Sequence, residues 1–142
     1  MKYLPAIACG FLLTALISYA FVLSASYSPL HSYLVSTPEL NAHNSAWLLL
    51  MFHDSVIPLI LAVIAVSFYR KLLPSYPFNL QAILLIQLPV TIVIIMSNGL
   101  PNKFASTYES AISITSVIAS ISVLMVFVVI IAYKKHLNID KL

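Results

Sequence analysis

A histidine and an aspartate stand side by side inside an apolar stretch, LLLMFHDSVIPLIL, at residues 48–61. The adjacent groups of His53, Asp54 and Ser55 could transfer a proton, bind a cation or hydrogen-bond to another helix. Pro58 follows four residues after Asp54, and because proline has no N–H, the Asp54 carbonyl loses its helical partner. The stretch therefore predicts a polar site within an apolar helix.

The next apolar stretch contains Gln87 and, two residues later, Pro89. If both stretches are antiparallel membrane helices, Asp54 lies about 12 Å from one face and Gln87 about 13–14 Å from the other, at 1.5 Å per residue. Both would be near the centre of a hydrocarbon core of about 30 Å, where Gln87 could hydrogen-bond to Asp54. We therefore expect a polar pocket between these helices, formed by His53, Asp54, Ser55 and Gln87, with helix bends at Pro58 and Pro89.

A charged Asp54 at that depth would cost about 2.5–3.5 kcal/mol on insertion scales. Protonation of the carboxyl group, or a cation such as protonated His53, would remove most of this cost. Three interpretations remain open at this point. The polar residues could clasp the two helices together, handle a proton or an ion, or recognise a partner protein.

A weaker candidate for metal binding lies between the first two apolar stretches. His31, Glu39 and His43 carry the imidazole and carboxylate groups that bind zinc or copper. No two of them have the short spacing typical of a metal site, so solvated loop residues are the alternative interpretation. Only His53 lies clearly inside an apolar stretch, which disfavours a haem held by two histidines of one chain. We predict no cofactor.

Nothing in the pattern selects catalytic residues. Serines lie near His53, but none is marked as a nucleophile with a base and an orienting group. The only glycines are Gly10 and Gly99, so the chain has no glycine-rich phosphate loop. We therefore lean against an enzyme, without deciding the question.

The composition requires that most of these residues belong to membrane helices. Of 142 residues, 61% are hydrophobic and 8% charged, whereas soluble domains carry about 25% charged residues. Four runs of about 20 apolar residues match the length that crosses a bilayer, and they do not alternate as barrel strands do. We predict an all-α, integral membrane four-helix bundle, a single domain over residues 1–142. The spans are expected at about 3–25, 46–69, 78–97 and 109–133, with an outer loop at 26–45.

Small residues form ridges on the first and last of these segments. Such residues let membrane helices approach closely. Packing within the chain is the simpler interpretation, and contact with another subunit is the alternative. The predicted packing residues are Gly10, Thr14 and Ser18, in line with Ala6, on the first segment, and Ser113, Ser116 and Ser120 on the last.

These features lead to three hypotheses of function. The leading one is a non-enzymatic protein that acts through intramembrane helix contacts, as an accessory subunit, a regulator or an immunity-type protein. The alternatives are a small oligomeric proton- or cation-coupled transporter or channel that uses the midplane pocket, and a metal-dependent membrane enzyme. The expected partners are the lipid bilayer and another membrane protein or a second copy, not nucleic acid. The expected location is the bacterial inner (plasma) membrane.

The positive charges predict how the chain is oriented. With four spans, six of the seven cationic residues fall on one side, and only Lys103 falls on the other. Because cytoplasmic flanks carry the excess of lysine and arginine, both termini should be cytoplasmic. The six residues are Lys2, Arg70, Lys71, Lys134, Lys135 and Lys141.

Reporter fusions test this orientation directly. We expect fusions after Leu72 and after Leu142 to report a cytoplasmic location, because both follow clusters of positive charge. A fusion after Ser36 should report the opposite side. An external signal from the fusion at Leu142 would refute the predicted topology.

Overall fold

The computed structural model describes residues 2–36, 44–98 and 107–136. No strand occurs among these residues, and four of their helices are long and apolar enough to cross a membrane. The predicted all-α, four-helix membrane fold is therefore confirmed. The helices are α1 (Leu4–Tyr27), α2 (Pro29–Ser36), α3 (Asn44–Leu72), α4 (Leu80–Asn98) and α5 (Thr107–His136), of which α2 is the short one.

Local sequence signals explain where two of the helices begin. Pro29 occupies the first position of α2, where its missing N–H costs nothing. The carbonyl of the preceding Ser28 accepts hydrogen bonds from the N–H of Ser32 at 3.1 Å and from its hydroxyl at 2.9 Å. Asn79 caps α4, since its side-chain oxygen accepts the N–H of Ala82 at 3.0 Å.

The four long helices form a closed square in cross-section. Helix α1 packs on α3 and α4, and α5 packs on the same two helices, while α2 lies against α1 and α3. Consecutive helices α3 and α4 lie on a diagonal, without substantial contact between them. Helices α1 and α4 run parallel, because Tyr3 bonds to Gln81 near the start of both helices and Gly10 meets Ile86 further along.

The tightest packing lies toward one end of the square. We call this the Arg70 end, where Tyr3 and Asn79 also lie, and we call the opposite end, with Ser24, the Asp54 end. The buried core of α1, α4 and α5 is confined to the Arg70 end and the middle. Its members are Ala6, Leu13 and Ile17 on α1, Ala82, Ile83, Ile86 and Val90 on α4, and Ala119, Val123, Val126 and Phe127 on α5.

Helices α1 and α4 come into closest contact at Gly10. A Cβ at this position would lie 2.6 Å from the carbonyl oxygen of Ile86 and 3.0 Å from that of Leu85. Pro89 deprives the Leu85 carbonyl of its helical donor, and the proline ring itself lies 3.0 Å from the same Cβ position. The backbone of α1 at Gly10 therefore covers the Leu85 carbonyl group, which Pro89 leaves without its usual donor within α4.

The predicted ridge of α1 packs within the chain over only part of its length. Gly10 and Thr14 are buried with Ala6, whereas Ser18 is exposed and Ile17 takes the buried position near it. Each four-residue step advances about 400° on a helix of about 100° per residue, so the ridge turns by about 40° per step. By Ser18 it faces away from the other helices.

Gly10→Leu should destabilise the fold, because even a methyl group at this position meets a backbone carbonyl that cannot move alone. Overpacking of this kind costs about 1–3 kcal/mol. The measurement is the melting temperature of the purified protein in detergent. Ala15→Leu, on the exposed side of the same helix, is the matched control and should melt like the unmodified chain. Equal melting of the Gly10 variant would show that α1 and α4 do not meet at this glycine.

Candidate functional site

Asp54 lies at one end of the bundle rather than at its centre. Its Oδ1 accepts a hydrogen bond from Ser24 Oγ at 3.2 Å, and Ser24 is three residues before the end of α1 at Tyr27. Gly10, which abuts α4 beside Gln87, is fourteen residues earlier on α1. At 1.5 Å per residue this places Asp54 and Gln87 at depths about 21 Å apart.

The structure therefore does not bring the predicted pocket residues together. Asp54 contacts α1 and Gln87 contacts α5, and the two helices that carry these residues lie on a diagonal. The expected depth assumed that the membrane begins near Ala46. However, α3 has 29 residues and a length of about 43 Å, so its first turns extend past the end of α1. Asp54 and Gln87 therefore do not form the expected hydrogen bond. Asp54 bonds to Ser24 of α1, and Gln87 bonds to the backbone of α5.

Asp54 forms a polar cluster with Ser24 and His53. His53 Nδ1 lies 2.9 Å from Asp54 Oδ1, the same oxygen that Ser24 bonds. The side chain of His53 is 42% exposed and that of Asp54 19% exposed. Ser24 donates to the carboxylate and not to the imidazole, so the cluster is not arranged as a nucleophile activated by a base. It can orient His53, and it leaves Asp54 Oδ2 without a donor from the described residues.

Ser55 follows Asp54 but is far more buried. It is 6% exposed, and its hydroxyl has no hydrogen-bond partner among the described residues. Pro58, one turn further along α3, is also fully buried and denies the Asp54 carbonyl its helical donor. Unpaired oxygen groups are thus concentrated at the Asp54 end of α3.

Gln87 joins α4 to α5 in the middle of the bundle. The side chain is 3% exposed, its Nε2 donates to the Ala119 carbonyl at 3.2 Å, and its Oε1 accepts the Val123 N–H at 2.8 Å. An α-helix ordinarily bonds these two backbone groups to each other, since they are four residues apart. The side-chain amide of Gln87 therefore bonds to both the acceptor and the donor of one backbone pair of α5.

Hydroxyl groups next to Gln87 strengthen the same layer. Thr91 Oγ1 lies 2.9 Å from the Ser120 carbonyl and 3.2 Å from the Gln87 carbonyl, and Ser122 Oγ donates to the Ala119 carbonyl at 3.0 Å. We call these contacts of Gln87 and Thr91 with α5 the Gln87 layer. Sequence reasoning missed Thr91, although a hydroxyl four residues after a buried glutamine lies on the same helix face.

The serines predicted to form the ridge of α5 lie on a side of this helix that is only half-buried. Ser113, Ser116 and Ser120 each have intermediate exposure. Ser120 contributes its backbone carbonyl to the Gln87 layer. The contact with α4 at this position is therefore made by the backbone of α5, which the small side chain of Ser120 leaves accessible.

The structure does not address the metal candidates between α1 and α3. Glu39 and His43 lie outside the described residues, and His31 lies on α2 with a side chain that is not described. In the part of the chain that the structure does describe, no three side chains of histidine, cysteine, aspartate or glutamate converge as a metal site.

The chain matches no known protein family, no curated protein and no solved structure. A function has to be argued from the sites themselves, because a four-helix fold alone is compatible with many activities.

Gln87→Leu should weaken the contact between α4 and α5, since it removes two side-chain bonds and keeps a similar volume. Intramembrane hydrogen bonds average about 0.6 kcal/mol each, so a loss of about 1 kcal/mol is expected. The readout is the melting temperature in detergent. Gln81→Leu, on the same helix, removes one exposed bond, from the Tyr3 hydroxyl, and is the control that should lose less. A Gln87 variant as stable as the unmodified chain would contradict the role of this layer.

Proposed function

We propose that this small integral membrane protein acts non-enzymatically, through contacts between its helices and another membrane protein. It would serve as an accessory subunit, a regulator or an immunity-type protein. The observation that carries the proposal is the exposed side of α1. We call it the α1 outer face, and it comprises Ala8, Phe11, Ala15, Ser18, Tyr19 and Val22.

The α1 outer face has the composition of a helix-packing surface. Ala8, Ala15 and Ser18 are small, exposed and spaced so that they lie on one side of the helix. In lipid, where apolar surfaces gain little from leaving the solvent, small side chains favour association because they let backbones approach closely. Phe11 and Val22, both more than 60% exposed, would project beside these small residues.

Hydroxyl groups on the same face lie at a depth where lipid offers no acceptor. Tyr19 is 64% exposed and has no hydrogen bond to the described residues. It lies about 5 Å along the axis from the middle of the 24-residue helix α1. A second helix on this face would supply an acceptor for Tyr19 and for the neighbouring Ser18.

Cation-coupled transport through a midplane pocket has less support from the geometry. Gln87 is bonded to α5, and Asp54 lies at the other end of α3 and α1. Between the Gln87 layer and the Arg70 end, the interior side chains Ala6, Val66 and Ile83 are 0% exposed. Of the residues expected to share a pocket, Asp54 bonds α3 to α1 and Gln87 bonds α4 to α5, whereas Ser55 has no partner among the described residues.

Site-specific photocrosslinking in cells tests the proposed contact surface. A photoreactive phenylalanine analogue placed at Phe11 or Tyr19 should yield one discrete adduct with a membrane protein, because both side chains project from the α1 outer face. The same analogue at Phe52, which is 71% exposed on α3, is the control for non-specific contact. The adduct and its composition are read by electrophoresis and mass spectrometry.

A second substitution separates a specific contact from chance proximity. Ala15→Leu should abolish the adduct formed from Tyr19 while leaving the melting temperature unchanged, since Ala15 is exposed on the outer side of α1. An adduct between two copies of this chain would replace the accessory-subunit hypothesis by self-association. Identical adduct patterns from Phe52 and Tyr19, or lipid adducts alone, would refute a contact surface on α1.

A further inference from the structure

We propose that the Asp54 end of the bundle binds a monovalent inorganic cation of the sodium class, on oxygen atoms of Asp54 and Ser55. We call this the Asp54–Ser55 site. Its residues are distinct from those of the proposed helix contacts, which involve the opposite side of α1. Unpaired oxygens, their placement on one sector of α3 and the charge of Asp54 support it.

Asp54 and Ser55 flank one inward-facing sector of α3. At about 100° per residue, Pro58 lies about 40° around the helix from Asp54 and about 60° from Ser55, between the two. Pro58 is fully buried, so the sector that it occupies faces the other helices. An ion in front of this sector is within reach of the side chains on both of its edges.

Three oxygen groups on this sector have unused capacity to coordinate. Asp54 Oδ2 accepts no hydrogen bond from the described residues, since Ser24 and His53 both bond to Oδ1. The Ser55 hydroxyl is buried without a partner among the described residues, which is an unfavourable state for a polar group. The Asp54 carbonyl lacks the N–H that residue 58 would supply if it were not proline. A bound cation would satisfy all three.

The charge and type of these groups select a small monovalent cation. Carboxylate, hydroxyl and carbonyl oxygens are hard ligands that suit alkali and alkaline-earth ions rather than soft metals. Asp54 supplies the one carboxylate of the Asp54–Ser55 site, so a single positive charge balances it. Backbone carbonyls freed by a helix break are used in membrane proteins to coordinate sodium.

We expect an ion to enter from the Asp54 end. Four consecutive residues of α5, from Ser113 to Ser116, are all half-buried, although together they cover about 300° of the helix circumference. The inner side of α5 is therefore partly open there, in contrast to the buried positions that begin at Ala119. Toward the Arg70 end, the Gln87 layer and fully buried side chains such as Val66 and Ile83 fill the interior, so we expect the ion to leave by the end at which it enters.

Sodium binding to the full-length protein in detergent tests the proposal. Sodium chloride is titrated against choline chloride at constant ionic strength, and both melting temperature and bound radioactive sodium are measured. We expect a saturable rise of both signals in the unmodified chain. Asp54→Asn should abolish the response, because it removes the charge. Ser55→Ala should weaken sodium binding about tenfold, the effect of one lost ligand.

Ser67→Ala removes an exposed hydroxyl from α3 itself and is the matched control, for which sodium binding should be unchanged. Ser55→Ala also guards against a folding defect, since it removes only a hydroxyl, and its melting temperature in choline alone reports its fold. Competition by lithium or potassium would support the monovalent class, whereas competition by calcium alone would overturn it. Equal melting in sodium and choline, or sodium binding that survives Asp54→Asn, would also overturn the proposal. Neither result would overturn the contact surface on α1, which the photocrosslinks from Tyr19 test separately.

Discussion

The contact of Gly10 with the carbonyl groups of Leu85 and Ile86 determines which helices are neighbours. A carbonyl group freed by proline inside a membrane must be covered by protein, and a helix without a Cβ at the contact can come close enough to do so. Because α4 packs on α1 in this way, it is held away from α3. Gln87 then turns toward α5, and Asp54 of α3 bonds to Ser24 of α1. The remaining polar contacts of the bundle follow from this placement.

Composition and segment length were sufficient to predict four membrane helices, because the thickness of the hydrocarbon core sets the number of apolar residues in a span. They were not sufficient to predict which helices are adjacent. In a membrane helix the lipid-facing side chains are as apolar as those in the core, so hydrophobic periodicity does not reveal the packed face. The expected Asp54–Gln87 pair failed for this reason, since it assumed that consecutive helices are neighbours.

Depth was the second quantity that the sequence could not supply. The ends of α3 do not coincide with the ends of α1, and counting residues from Ala46 placed Asp54 level with Gln87, whereas Asp54 bonds to Ser24 near the end of α1. Ser24 offered no signal of its own, because a serine near the end of an apolar helix is ordinary. Thr91 could have been found, since it lies one helical turn after Gln87 on the same face.

Helix α1 connects the two proposed sites. Ser24 bonds it to Asp54 on one side, and Ser18, Tyr19 and Val22 on the other side lie within six residues of Ser24. A cation on Asp54 Oδ2 and a partner on the α1 outer face would therefore act on the same turns of one helix. By thermodynamic linkage, each would change the affinity of the other to the extent that the Ser24–Asp54 bond differs between the two states. The Arg70 end is insulated from this coupling, because the Gln87 layer and the contact at Gly10 hold its helices together independently of Asp54.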